Sequence, residues 1–239
     1  MCPPAVASAD IAARLTSVRE RIARAAARGR RDLAAIRLVA VSKTFGPEHV
    51  RAAAAAGQVD FGENKVQEAL EKMDATADLA LRWHLVGHLQ ANKARKAATR
   101  FSLIHSVDSA ALLARIDHAA TEAARPVDLL VQVDLAGEPT KHGAHEADLE
   151  PVFAAARSCR TARVVGLMLL PPPAADPDEA RPYFRALRAA RDRLLAAGVP
   201  PPMLAELSMG MSHDFEVAVE EGATMVRVGT AIFGERTYV

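Results

Sequence analysis

The sequence predicts an α/β protein built as a single (β/α)8 TIM barrel, and three observations carry that expectation. Eight short apolar runs alternate with stretches of helical periodicity, a pattern that implies parallel strands joined by right-handed crossovers. The length, 239 residues, is that of one closed barrel of this kind, which takes about 250. The carboxyl ends of the runs, where such barrels bind ligands, carry many polar groups, among them Lys43, Asn64, His88, Ser208 and Arg227.

The elements follow in order. From Asp10 to Arg30, the residues Ile11, Leu15, Val18 and Ile22 recur at helical spacing between arginines, which predicts an extra N-terminal helix with Asp10 as its cap. The strands are expected at Ile36–Val41, Val59–Phe61, Trp83–Val86, Leu103–Val107, Val127–Val133, Val164–Leu169, Leu204–Ser208 and Met225–Val228. Between them, Pro47–Ala56, Lys65–Met73, Ser109–Ala124, Glu146–Ala156, Glu179–Ala196 and His213–Glu221 have helical periodicity, and Asn92–Ala98 is the weakest such stretch. The proline clusters Pro171–Pro173 and Pro200–Pro202 are rigid loops rather than linkers. One domain over residues 1–239 is therefore expected.

Composition narrows the partners. Thirty basic against twenty-nine acidic side chains leave a charge of +1, with no electrostatic footprint for nucleic acid or an anionic membrane. Small molecules are the expected ligands. Two cysteines, Cys2 and Cys159, cannot form a secretory framework. No run is long enough to span a bilayer, and the first ten residues lack a basic region followed by an apolar stretch. A cytoplasmic location is expected.

Two motifs carry chemistry. Lys43 stands at the tip of the first strand in the string Val-Ser-Lys-Thr; a desolvated lysine keeps part of its amine neutral, free to form a Schiff base with a carbonyl. Met225-Val-Arg-Val-Gly-Thr230 places a glycine and a hydroxyl after the last strand, as barrels that hold a phosphate do. An aldehyde-capturing amine and a phosphate cradle together point to pyridoxal 5'-phosphate as cofactor. His84 and His88 are four apart but lack an intervening glutamate or an evident third ligand, so no metal is expected. The loop Gly137–Gly143 presents Lys141, either as a second amine or as a solvated lysine. Arg227 alternates with Val226 and Val228, and period two alone leaves its face open.

Several strings taken together resemble a known family. They are Ala40-Val-Ser-Lys-Thr44, Phe61-Gly-Glu-Asn64, Trp83-His-Leu-Val-Gly-His-Leu-Gln-Ala-Asn-Lys93, Ile104-His-Ser-Val-Asp108, Val165-Gly-Leu-Met168, Leu207-Ser-Met-Gly-Met-Ser212 and Arg227-Val-Gly-Thr-Ala-Ile-Phe-Gly-Glu-Arg236. In this order they resemble the pyridoxal phosphate homeostasis proteins, single barrels related to the N-terminal domain of alanine racemase. The resemblance implies a fold type III cofactor site without a recognised turnover reaction, in a protein that stores, buffers or delivers pyridoxal phosphate to apoenzymes. It implies a Schiff base on Lys43, phosphate contacts from Ser208, Gly229 and Thr230, and Asn64 beside the ring, with Glu63 either supporting it from behind or a satisfied structural acid. Met168 is expected as an apolar wall, core packing being the more usual use of a methionine. Arg227 would face the pyridine nitrogen, where a permanent cation disfavours ring protonation.

Two positions depart from the family pattern: His213 stands where a small or acidic residue is usual, and Leu169 where a polar one is, which would make the cofactor's surroundings more apolar. An amino-acid racemase of the same fold is the alternative. It needs an acid–base group on each face of the substrate carbon, and only Tyr183 and Tyr238 offer tyrosine bases. A barrel enzyme acting on a phosphorylated sugar or indole precursor is a third reading, which fits the phosphate cradle but not the full set of strings. With the chain ending just past the eighth strand, a monomer is expected.

Overall fold

The structure is a computed structural model that describes residues 8–137 and 142–235. It opens with α1 (Ser8–Arg28), whose buried stripe is Ile11, Leu15, Val18 and Ile22, as the spacing predicts. Asp10 is not the cap: the chain is already helical at Ser8, and Asp10 lies in the first turn, where its charge still complements the helix's positive end.

Eight parallel strands close into a barrel in chain order. They are β1 (Arg37–Val41), β2 (Asp60–Glu63), β3 (Arg82–Leu85), β4 (Leu103–Val107), β5 (Val127–Val133), β6 (Ala162–Leu169), β7 (Glu206–Ser208) and β8 (Met225–Val228). The last strand pairs with the first, Val39 opposite Arg227, which abolishes the sheet edge. Strand β7 is shorter than the sequence predicts because Pro201–Leu204 coils into a 3-10 turn; prolines have no N–H to give a ladder. Gly166 of β6 is paired with Glu206, and a Cβ there would stand 1.9 Å from the Glu206 carbonyl oxygen. Only glycine lets the two backbones come this close.

The outer helices are α2 (Pro47–Ala55), α3 (Val66–Ala75), α4 (Ala94–Arg100), α5 (Ala110–Glu122), α6 (Leu149–Ala156), α7 (Arg181–Ala196), α8 (Phe215–Glu220) and α9 (Thr230–Phe233). Helix α8 has six residues and α9 is a single turn, too little to cover the β8–β1 seam. Helix α1 supplies the cover, packing on α2, α8 and α9. Among the described residues no helix is long and apolar enough to cross a membrane.

Inside the barrel, alternate residues of each strand fill the lumen. Met168 joins Leu103, Leu130 and Met225 in an apolar cluster there. Beside that cluster the filling is polar: His84, His105, Ser208 and Arg227 are all buried.

Candidate functional site

A cleft of about 560 Å³ opens at the carboxyl ends of the strands, and Lys43, Asn64, Arg227, Gly229 and Thr230 all line it. Its volume is that of an ordinary small-molecule site.

Lys43 is half-buried and sits at the first corner of a tight turn closed by the Phe45 N–H on the Ser42 carbonyl, 3.0 Å. The second corner, Thr44, has φ 71°, in the left-handed region that a β-branched residue avoids. The turn persists because both its flanks are anchored. Lys72 Nζ donates to the Ser42 carbonyl at 2.8 Å, to Glu63 Oε1 at 2.7 Å and to Glu68 Oε1 at 2.8 Å. The Thr44 N–H donates to the same Glu68 oxygen at 2.7 Å, and the Ser42 hydroxyl to Glu63 at 2.6 Å. Burial pushes the Glu63 carboxyl up, while Lys72 and Ser42 hold it down in part. Glu63 therefore serves the backbone around Lys43 and is not on the cleft wall.

Arg227 faces inward, which settles the side that alternation left open. Its Nη1 donates to Ser208 Oγ at 2.5 Å and its Nη2 to the Leu169 carbonyl at 2.8 Å. Burial lowers its pKa to about 10, opposed by nearby Asp214, so it stays charged at neutral pH. From Ser208 the contacts continue through the lumen: Ser208 Oγ to His105 Nδ1, 2.9 Å; His105 Nε2 to His84 Nδ1, 3.1 Å; His84 Nε2 to Asp60 Oδ1, 3.0 Å. Burial holds both imidazoles below their ordinary value and hence neutral. Arg227 can only donate and ionised Asp60 can only accept. Every link must then point the same way, with each histidine carrying its proton on Nε2.

The structure places three of these residues away from the lining of the cleft. Ser208 is not on the cleft wall; its hydroxyl is engaged by Arg227 and His105. Met168 belongs to the lumen cluster below, because period two turns it inward one layer too deep. Leu169 points its side chain into the core and contributes its carbonyl to Arg227 instead of making the cleft more apolar. His213 lines the rim, with Nε2 3.0 Å from the Ala175 carbonyl oxygen.

Of the residues expected at a phosphate, Gly229 turns its amide, together with that of Ala231, toward the Ser212 hydroxyl, which the sequence left unassigned. Ser212 Oγ accepts from the Gly229 N–H at 3.0 Å and the Ala231 N–H at 3.4 Å, and Ser212 lines the cleft. Its only advance signal was its place in the Leu207–Ser212 string. Because α9 is one turn long, this cradle works through individual N–H groups and the hydroxyl, not through the dipole of a long helix. Amides, hydroxyl, amine and buried cation in one cleft of this size fit a phosphorylated aldehyde.

His84 and His88 do not meet: His84 belongs to the lumen chain, and His88 lies on the rim with its ring stacked on His142 at 3.5 Å. Tyr183 is half-buried on α7 against the core and does not line the cleft. Lys141 and Tyr238 lie outside the described residues.

A closed parallel barrel with a half-buried lysine after β1 and an inward arginine on β8 defines the alanine racemase N-terminal domain class, and the model of that domain matches residues 14–237. Pyridoxal phosphate homeostasis protein of Aquifex aeolicus is 44% identical over 226 residues, covering 94% of this chain and 98% of that protein. Its counterpart in Escherichia coli K12 is 38% identical over 235 residues, covering 96% and 98%. The structure of PipY from Synechococcus elongatus with pyridoxal phosphate bound superposes with a TM-score of 0.84 at 41% identity, covering 94% of this chain and all of that one. The chain belongs to the pyridoxal phosphate homeostasis protein family. An alanine racemase of Clostridium difficile, 16% identical with a TM-score of 0.67, shares the fold.

Proposed function

We propose that this chain binds pyridoxal 5'-phosphate in the cleft, holds it covalently through the Lys43 amine, and serves homeostasis of the cofactor by storing, buffering or delivering it to apoenzymes. The observation that carries this reading is the meeting of Lys43, Arg227, Ser212, Gly229 and Thr230 in the lining of one cleft. The bound cofactor supplies an aldehyde for amine capture and an electron-withdrawing ring.

The protein's own groups do the rest. Lys43 offers its amine from a turn that Lys72 and Glu68 keep in place. Ser212, Gly229 and Thr230 line the part of the cleft where they would hold phosphate oxygens, and Asn64 and Val86 line the part that would border the ring. Arg227, fixed by Ser208 and the Leu169 carbonyl, presents a permanent positive charge that opposes protonation of a ring nitrogen beside it. A ring kept unprotonated is a poor sink for carbanion electrons. This supports a carrier over an enzyme with its own turnover. A racemase also needs two opposed acid–base groups, and Tyr183 is not on the cleft wall.

We further infer one domain over the chain, a cytoplasmic location and a monomeric state. Among the described residues the large exposed apolar side chains are Leu33, Val59 and Met211, which come from separate segments and form no broad patch. The cofactor reading is tested by the visible spectrum of the protein with added pyridoxal phosphate, before and after borohydride. A reducible band in the wild type that Lys43→Ala lacks supports it; a wild type without such a band overturns it.

A further inference from the structure

Three ligand-capable side chains from three segments meet on the rim of the cleft. His88 follows β3, Asp108 follows β4, and His142 stands two residues before the Ala144 bridge to β5. One ligand atom of each lies within 4.8 Å of the others, and His88 Nδ1 is 3.8 Å from Asp108 Oδ2.

The positions are preset by their neighbours. The Ser109 hydroxyl donates to Asp108 Oδ1 at 3.1 Å, leaving Oδ2 toward His88. The His142 carbonyl accepts from the Gln132 side chain, and Ala144 is paired on both sides, its N–H to Gln132 at 2.8 Å and its carbonyl to Asp134 at 2.9 Å. Both imidazoles are exposed, so turning them out of their stack costs little packing. Around a tetrahedral ion with bonds of about 2.0–2.1 Å, ligand atoms stand roughly 3.3 Å apart. The ligand atoms, all within 4.8 Å of one another, stand at most about 1.5 Å wider than that spacing.

We propose that His88, Asp108 and His142 form a binding site for a divalent transition-metal ion of the zinc class, at the mouth of the cleft. Two imidazoles and one carboxylate favour such an ion over magnesium or calcium, which take all-oxygen shells. Three protein ligands leave a coordination position open to water or to a ligand entering the cleft. A bound ion would tie the ends of β3 and β4 to the segment that follows β5. The site stands independently of the cofactor reading.

The test is titration of tag-free protein, as purified, with cobalt(II) followed by its visible d–d absorption, and with zinc(II) by calorimetry. Wild type and His118→Ala, which removes a remote exposed histidine, are expected to bind one ion. His142→Ala and Asp108→Asn are expected to bind at least about tenfold more weakly, as losing even an outer partner does. Zinc at a concentration that just saturates the wild type should raise its melting temperature by more than that of His142→Ala, since stabilisation grows with the affinity of the native-state site. Failure of the wild type to saturate at one ion, or undiminished binding in a folded His142→Ala, overturns the proposal. His142→Gln replaces His142→Ala if the latter melts early without metal.

Discussion

Lys72 spends its three donors on the Ser42 carbonyl, Glu63 and Glu68, all within 2.8 Å, and has almost no solvent contact. Removing one partner of a buried pair leaves the other charge uncompensated, at a cost of about 3–5 kcal/mol. Lys72→Met should lose that much in urea unfolding with an unchanged slope, and the double change Lys72→Met with Glu63→Gln should regain most of it. A loss under about 1 kcal/mol would show that the pair is solvated. Ser208→Ala strands one Arg227 N–H and His105 Nδ1, and should cost about 1–3 kcal/mol by the same measurement. At this scale the sequence exposed the residues whose type is odd for their position: a lysine at a strand tip, an arginine within an apolar run. Lys72 and Ser212 were silent because their roles depend on partners from other elements, and nothing in a helix pattern distinguishes a lysine turned inward from a solvated one.

Among the elements, α1 does what α9 is too short to do. Leu15, fully buried between α1 and its neighbours, should cost about 2–5 kcal/mol as Leu15→Ala, although it lies outside the barrel; a change near zero in thermal or urea unfolding would mean that α1 is a detachable arm. Gly87 sits where a Cβ would fall 2.3 Å from the Asn64 carbonyl oxygen, backbone against backbone. Gly87→Ala must displace the β2–α3 connection that carries Asn64. Equilibrium titration with pyridoxal phosphate should show affinity falling at least about tenfold, a loss of 1.4 kcal/mol or more; unchanged affinity would place Asn64 outside the binding wall. Strands and helices were legible because an apolar period of two or 3.6 survives in the one-dimensional pattern. Their ends were less so: β7 gave residues to a proline turn, and Asp10 fell inside its helix, since ends are set by hydrogen bonds to other segments. The barrel depth of Met168 and Ser208 was illegible for a related reason. Period two assigns a face, whereas the layer depends on the stagger between strands.

For the molecule as a whole, the lumen chain fixes the acid limit of stability. Burial raises the Asp60 carboxyl, but hydrogen bonds from His84 and Arg82 outweigh it and bring it to about 2, below its ordinary 3.8. A depressed carboxylate contributes stability above its unfolded value and loses it as pH falls through the folded one. The histidines, held below 6.5, act in the same direction, since the unfolded chain takes up protons that the folded lumen refuses. Urea midpoints should therefore decline from about pH 6.5 downward and fall again between about pH 4 and pH 2. A midpoint flat down to pH 5 would contradict neutral lumen histidines. Arg227 opens on the cleft while Asp60, paired with Arg82, lies at the opposite, amino-terminal ends of the strands, so one hydrogen-bonded chain links the two ends of the barrel. Coupling between two sites is reciprocal: whatever an occupant beside Arg227 does to proton affinity at Asp60, protonation at Asp60 does equally to the affinity for the occupant. The rings of His84 and His105 lie on that line, so their nitrogen resonances should report from inside the barrel whether the mouth is filled.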